Sequence, residues 1–169
     1  MGAPFTDIEI AAAPFDPEAA HADFRRRVDG AGAIVAFTGL VRGKTGDGED
    51  VSRLTLQHYP GFTEKEITRI VSKASVRWPL VGSRIIHRTG DLESGEPIVF
   101  VATASIHRRA AFEAADFLMD YLKADAPFWK KETRGDNAMW IEPRAEDLID
   151  KARWRDSEGD ANARDQRDS

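Results

Sequence analysis

Between Tyr121 and Arg134 the chain reads YLKADAPFWKKETR, with three lysines and an arginine around a proline and two large aromatics, although the net charge of the whole chain is -5. A lysine set beside apolar walls and other cations loses hydration and meets like charge, so its pKa falls. This is how a lysine becomes a base or a nucleophile at neutral pH. Lys130, between Trp129 and Lys131 in an alternating run, fits that description. Lys123 closes a helical stretch, where a cation also complements the helix dipole with no further role. The turn between them permits their convergence without requiring it.

Other cations stand at constrained places. Arg42 follows a β-branched run in a glycine-bracketed turn, and His107 and Arg108 lie where a strand passes into a helix. The N-terminus of a helix offers unpaired N–H groups and partial positive charge, so SIHRR is a candidate anion seat. Taken singly, each of these residues is as readily a solvated surface group.

The chain has no cysteine, which excludes disulfides, thiolate nucleophiles, cysteine-type zinc sites and protein-bound persulfides. The four histidines, His21, His58, His87 and His107, never fall at i and i+4, so no dedicated metal site is expected. No apolar run is long enough to cross a bilayer and no secretory signal is evident, so the sequence reads as cytoplasmic and soluble.

Alternating element types must position these groups. A short edge strand is expected at Asp7 to Ala11. A helix follows, with Asp16 as N-cap, Pro17 at its first position and Gly30 past its end. Strands are expected at Ala33 to Thr38 and from Val51 through HY. The next helix has Thr63 and Glu66 as a capping box, Phe62 against Ile67 as a staple, and Ile67, Ile70, Val71, Ala74 and Trp78 as its buried stripe. Strands at Ser83 to Thr89 and Pro97 to Ser105 precede a helix from His107 to Lys123. Its stripe is read as Phe112, Ala115, Leu118, Met119 and Leu122, with Arg109, Glu113, Asp116 and Asp120 outside. FWKKETR then alternates as a strand with Lys130 and Glu132 on one face and Lys131 on the other. A last strand covers Ala138 to Glu142. The mixture indicates an α+β fold in one domain over residues 1–144. Residues 145–169 hold eight acids against five bases and read as a charged, largely disordered tail.

The stretches GAIVAFTGLVRG, LTLQHYPGFTEKEI, SIHRR and DYLKADAPFWKKE, in this order over about residues 30 to 142, resemble the large subunit of molybdopterin synthase, the MoaE family. The resemblance implies an α/β hammerhead fold with an additional antiparallel β subdomain. It also implies a homodimer that forms a heterotetramer with two copies of a small, ubiquitin-like sulfur-carrier subunit. The implied reaction is a sulfurtransferase step without a cofactor. Two sulfurs pass from the Gly-Gly thiocarboxylate of the small subunit to cyclic pyranopterin monophosphate, forming the dithiolene of molybdopterin. Lys123 and Lys130 take the catalytic positions. Leu40, Val41, Arg42, His107, Arg108, Lys131 and Glu132 take those of substrate contacts. A non-enzymatic anion or RNA-binding module with Phe128 and Trp129 as stacking platforms is the alternative. The near-neutral body, with 21 acids against 19 bases in residues 1–144, argues against it.

Overall fold

The structure, a computed structural model, describes residues 2–165, apart from the side chains of residues 156–165. Two four-stranded sheets make up its frame. The first has the order β1 (Phe5–Ala11), β4 (Leu80–Arg88), β6 (Pro97–Ser105), β2 (Ala33–Leu40). In it β1 runs parallel to β4, and the other neighbours are antiparallel. The second is wholly antiparallel, in the order β5 (Gly90–Leu92), β3 (Arg53–His58), β7 (Phe128–Arg134), β8 (Asn137–Ile141). The α+β architecture and its added antiparallel sheet agree with the sequence reading. Among the described residues no helix is long and apolar enough to cross a membrane.

Strand alternation divides the core. Ile85, Val99 and Val101 face helices α2 (Phe62–Arg77) and α3 (Arg108–Asp125), while Ile86, Phe100 and Ala102 face α1 (Pro17–Arg27). The two buried faces explain why β6 reads as a continuous apolar run. Val41, Leu56 and Leu92 form a smaller core with Ile98 where the sheets meet. Thr89 pins that joint: its N–H donates to the carbonyl of Ala11 in the first sheet and its hydroxyl to that of Leu56 in the second.

Helix starts show where sequence and structure part. Asp16 caps α1 as expected, accepting from the N–H groups of Glu18 and Ala19 at 2.9 and 3.2 Å. The cap of α2 lies two residues earlier than expected: Gly61 is the N-cap, and Glu64 accepts its N–H at 2.6 Å. Gly61 has φ +83°, a conformation natural to glycine, and this lets the chain enter the helix from the preceding turn. Thr63 is instead fully buried, accepting from Tyr59 N–H and donating to the carbonyl of Pro127 at 3.3 Å. Phe62 is exposed and forms no staple.

In α3, Phe112 is exposed, and the buried stripe runs through Ala111, Ala114, Phe117, Leu118, Tyr121 and Leu122. Asp120, expected outside, is buried because α4 (Ala145–Asp165) covers it. Arg153 and the indole N–H of Trp154 donate to its carboxylate at 2.6 and 2.7 Å. The Trp154 ring meets those of Trp78 and Phe117. The segment read as a charged tail therefore packs against the body as far as Trp154. The expectation of disorder for residues 166–169 lies outside the described residues.

Candidate functional site

Helix α3 returns along β6 and β2, so its C-terminal end lies where β2 ends and β6 begins, with Leu40 opposite Pro97. Lys123 is in that last turn, half-exposed, its Nζ 3.8 Å from the Asp147 carboxylate of α4. Asp147 also accepts the N–H of Arg144 at 3.3 Å, which holds it at the start of the helix. Ala126 and Pro127 then swing the chain into β7. The bond from Thr63 and the stacking of Phe128 on His87, with ring centroids 3.7 Å apart, clamp this turn.

The clamp delivers Lys130 to the lysine end. Its side chain keeps solvent contact. Packing around the ammonium nevertheless lowers its pKa below the usual lysine range, and the positive charge of Lys123 adds to the effect. Arg144 acts in the same direction, while Asp147 and Glu132 oppose it. The two lysines thus feel each other across the turn, the convergence that spacing left open. Glu132 faces the same side of β7 as Lys130 and is held by Arg134 at 3.0 Å. Lys131 points to the other side, where its ammonium lies 5.4 Å from the Trp140 ring centroid.

The turn after β2 reaches the same end. Val41 packs on Leu56, which is the register partner of Lys130. Its N–H donates to the carbonyl of Glu96, and its own carbonyl accepts from Gly95. With a buried side chain and both backbone groups spent, Val41 supports the turn and offers no contact surface. Leu40 and Arg42 on either side are exposed.

His107 and Arg108 are elsewhere. They open α3 and, with Arg109, Phe112 and Glu113, line a depression of about 440 Å³. The N-cap His107 makes no side-chain capping bond. At 1.5 Å per residue, Arg108 lies about 22 Å along the helix from Lys123, so one chain does not bring the two ends together.

Two residues that no sequence signal marked adjoin Phe128, two positions before Lys130. His87 is buried under Phe128, and burial, with lesser contributions from the charges of Lys130 and His58, lowers its pKa to about 4. His58 pairs in register with Phe128, and its Nε2 lies 3.7 Å from a Glu64 carboxylate oxygen. Phe128, offered as a stacking platform in the alternative reading, is already occupied by His87. Among the described residues no group of three acidic or imidazole side chains is arranged to hold a metal.

Fold and site together describe a small α+β protein with a lysine pair at one end of α3 and a basic helix start at the other. The sequence pattern of a family described as MoaE protein matches residues 10–125, and the chain belongs to that family. The molybdopterin synthase catalytic subunit of Pseudomonas aeruginosa is 48% identical over 147 residues, 87% of this chain and 97% of that protein. Among solved structures, a molybdopterin biosynthesis MoaE protein from Burkholderia ambifaria superposes with a TM-score of 0.73 at 40% identity, covering 90% of this chain and 98% of that one. A molybdopterin synthase from Staphylococcus aureus gives 0.70 at 29% identity, covering 80% of this chain and 96% of that one.

Proposed function

We propose that this chain is the catalytic subunit of a molybdopterin synthase. In this reading it is a cytoplasmic sulfurtransferase that passes two sulfurs from the thiocarboxylated Gly-Gly terminus of a small ubiquitin-like subunit to cyclic pyranopterin monophosphate. The observation that carries the reading is the lysine pair: Lys130 with lowered basicity, felt by Lys123 across a clamped turn. Opening an anionic cyclic phosphate needs stabilisation of charge, and thiocarboxylate attack needs a proton donor and an acceptor. A lysine with lowered pKa gives up its proton more readily, and it donates one as the ammonium. The absence of cysteine fits a chain that receives its sulfur from a partner.

Arg42 and Leu40 reach the lysine end, and Glu132 orients charge beside Lys130. His107 and Arg108 lie too far along α3 to serve the same substrate in one chain. Their role as phosphate or pterin contacts therefore requires a second copy whose helix start meets this lysine end. Exposed Phe112 and Ile106 beside them offer apolar surface for such a homodimer. One small subunit at each lysine end then gives the heterotetramer.

The test is reconstitution. The chain is mixed with thiocarboxylated small subunit and cyclic pyranopterin monophosphate, and molybdopterin is assayed. Product is expected with the intact chain and not with Lys123→Ala; absence of product from the intact, folded chain overturns the reading.

A further inference from the structure

The stretch HYPGFTEK reads in the sequence as the entry to a helix, but the start of α2 is complete without Thr63: Gly61 is the N-cap and Glu64 accepts its N–H. The Thr63 hydroxyl is directed outside the helix. Its oxygen accepts the N–H of Tyr59 at 3.0 Å, and its one hydrogen goes to the carbonyl of Pro127 at 3.3 Å. The N–H of Thr63 in turn donates to the carbonyl of Tyr59 at 2.9 Å. Thr63 is fully buried, so no water stands ready to replace a lost partner.

Pro127 occupies the gap between the two elements that carry the lysines. α3 holds the chain as far as Asp125, and the ladder of β7 on β3 begins at Phe128, paired with His58. Ala126 and Pro127 belong to neither. Ala126 spends its carbonyl on the N–H of Phe128 at 2.8 Å. Pro127 has no N–H and its ring fixes φ, so ψ is the soft torsion left to it. Since ψ turns the carbonyl, holding the carbonyl holds ψ. The segment that holds it also grips the residues that follow: Tyr59 meets the Trp129 ring edge-on at 5.9 Å, and Leu56 pairs with Lys130.

We propose that Thr63 is a positioning residue for the lysine pair: by holding the Pro127 carbonyl, its hydroxyl fixes the turn between α3 and β7 and with it the placement of Lys130 against Lys123. It acts through the backbone of Pro127, which lies between the lysines in the chain. A rotation of ψ at Pro127 would swing β7, and Lys130 with it, relative to the end of α3. The use of this hold in catalysis rests on the sulfur-transfer reading. The hold itself does not.

The experiment compares, in the full chain, Thr63→Val, which keeps the shape and removes the hydroxyl, with Thr63→Ser, which keeps the hydroxyl. Ile70→Val, a core change about two turns further along α2, reports general loosening. Lysine side-chain signals are titrated by NMR, with Lys130→Arg identifying the Lys130 signal. The charges that face Lys130, on Lys123, Arg144, Asp147 and Glu132, are the same in the wild type and in the Thr63 and Ile70 variants. Wild-type Lys130 is expected to titrate below the usual lysine range. In Thr63→Val its midpoint rises by about one unit, because the freed turn lets the ammonium regain water and move away from Lys123. Thr63→Ser and Ile70→Val leave it in place. In the reconstituted reaction Thr63→Val lowers kcat by about tenfold to a hundredfold at unchanged KM, the scale of a misplacement of about 1 Å, and Thr63→Ser restores it. Thr63→Ala, which also lacks the hydroxyl, serves the same test should Thr63→Val not fold. An unmoved midpoint or an undiminished kcat in a folded variant without the hydroxyl overturns the proposal, as does an equal shift in Thr63→Ser or Ile70→Val. If the wild type makes no product while the midpoint still responds to loss of the hydroxyl, the sulfur-transfer reading falls and the hold of Thr63 on the lysine turn stands.

Discussion

At Lys130 two influences compete: burial and Lys123 push the side chain towards the amine, while Asp147 and Glu132 favour the ammonium. If the amine is the active form, the rate rises with pH through a midpoint below the usual lysine range. Asp147→Asn removes a charge that holds the proton, so the midpoint should fall further; a pH–rate profile that moves upward contradicts this assignment. Lys123→Ala and Lys130→Ala should each greatly reduce product formation. Their combination should lose less than the product of the two effects, because groups acting as a unit are not additive. His87 gives a stability prediction with a defined sign. Above pH 6.5 the ring is neutral in both folded and unfolded chains. Below it the unfolded ring binds a proton that the folded one refuses until about pH 4, so stability declines across that window. The contribution is about 3 kcal/mol at the low end. His87→Phe should flatten urea-melt stabilities between pH 6.5 and 4 relative to wild type, and an undiminished slope would show that the ring is not buried neutral. The lysines were legible because cations and aromatics are dense around them in sequence. His87 was not, since β4 and β7 belong to different sheets and are far apart in sequence.

Among the elements, strand alternation and the cap of α1 were legible because they are set by neighbours in sequence. The cap of α2 was displaced because Thr63, a sound N-cap by type, is spent on the carbonyl of Pro127 in a distant turn. α4 was read as a tail because its acids and bases show no apolar stripe. Its attachment depends on a few residues: Trp154 against Trp78 and Phe117, Arg153 on Asp120, and Lys151 on Asp125. Trp154→Ala should therefore cost about 2 to 3 kcal/mol, somewhat less than truncating a fully buried tryptophan. It should also loosen Asp147 from Lys123, since α4 carries both Trp154 and Asp147. Thermal melts would register a drop of several degrees, and an unchanged melting temperature would mean that α4 is not docked in solution. Removing residues 156–169 is expected to leave both melting temperature and activity nearly as they are.

For the whole molecule, the length of α3 decides how many chains make a site. Its start carries His107 and Arg108, its end carries Lys123, and a rigid helix keeps them about 22 Å apart. If both ends serve one substrate, the site spans two copies, and in a two-fold dimer each copy gives its lysines to one site and its helix start to the other. Two inactive variants should then rescue each other. In a mixed dimer of Lys123→Ala with His107→Ala, one site receives both damaged halves and the other both intact ones. Random exchange of subunits yields mixed dimers as half of the population, so roughly a quarter of wild-type activity should return on mixing. Each variant alone should stay near its own low rate. Activity that remains at the average of the two parents after demonstrated subunit exchange would place the whole site within one chain. His107 and Arg108 would then have to serve something other than the substrate held at the lysine end.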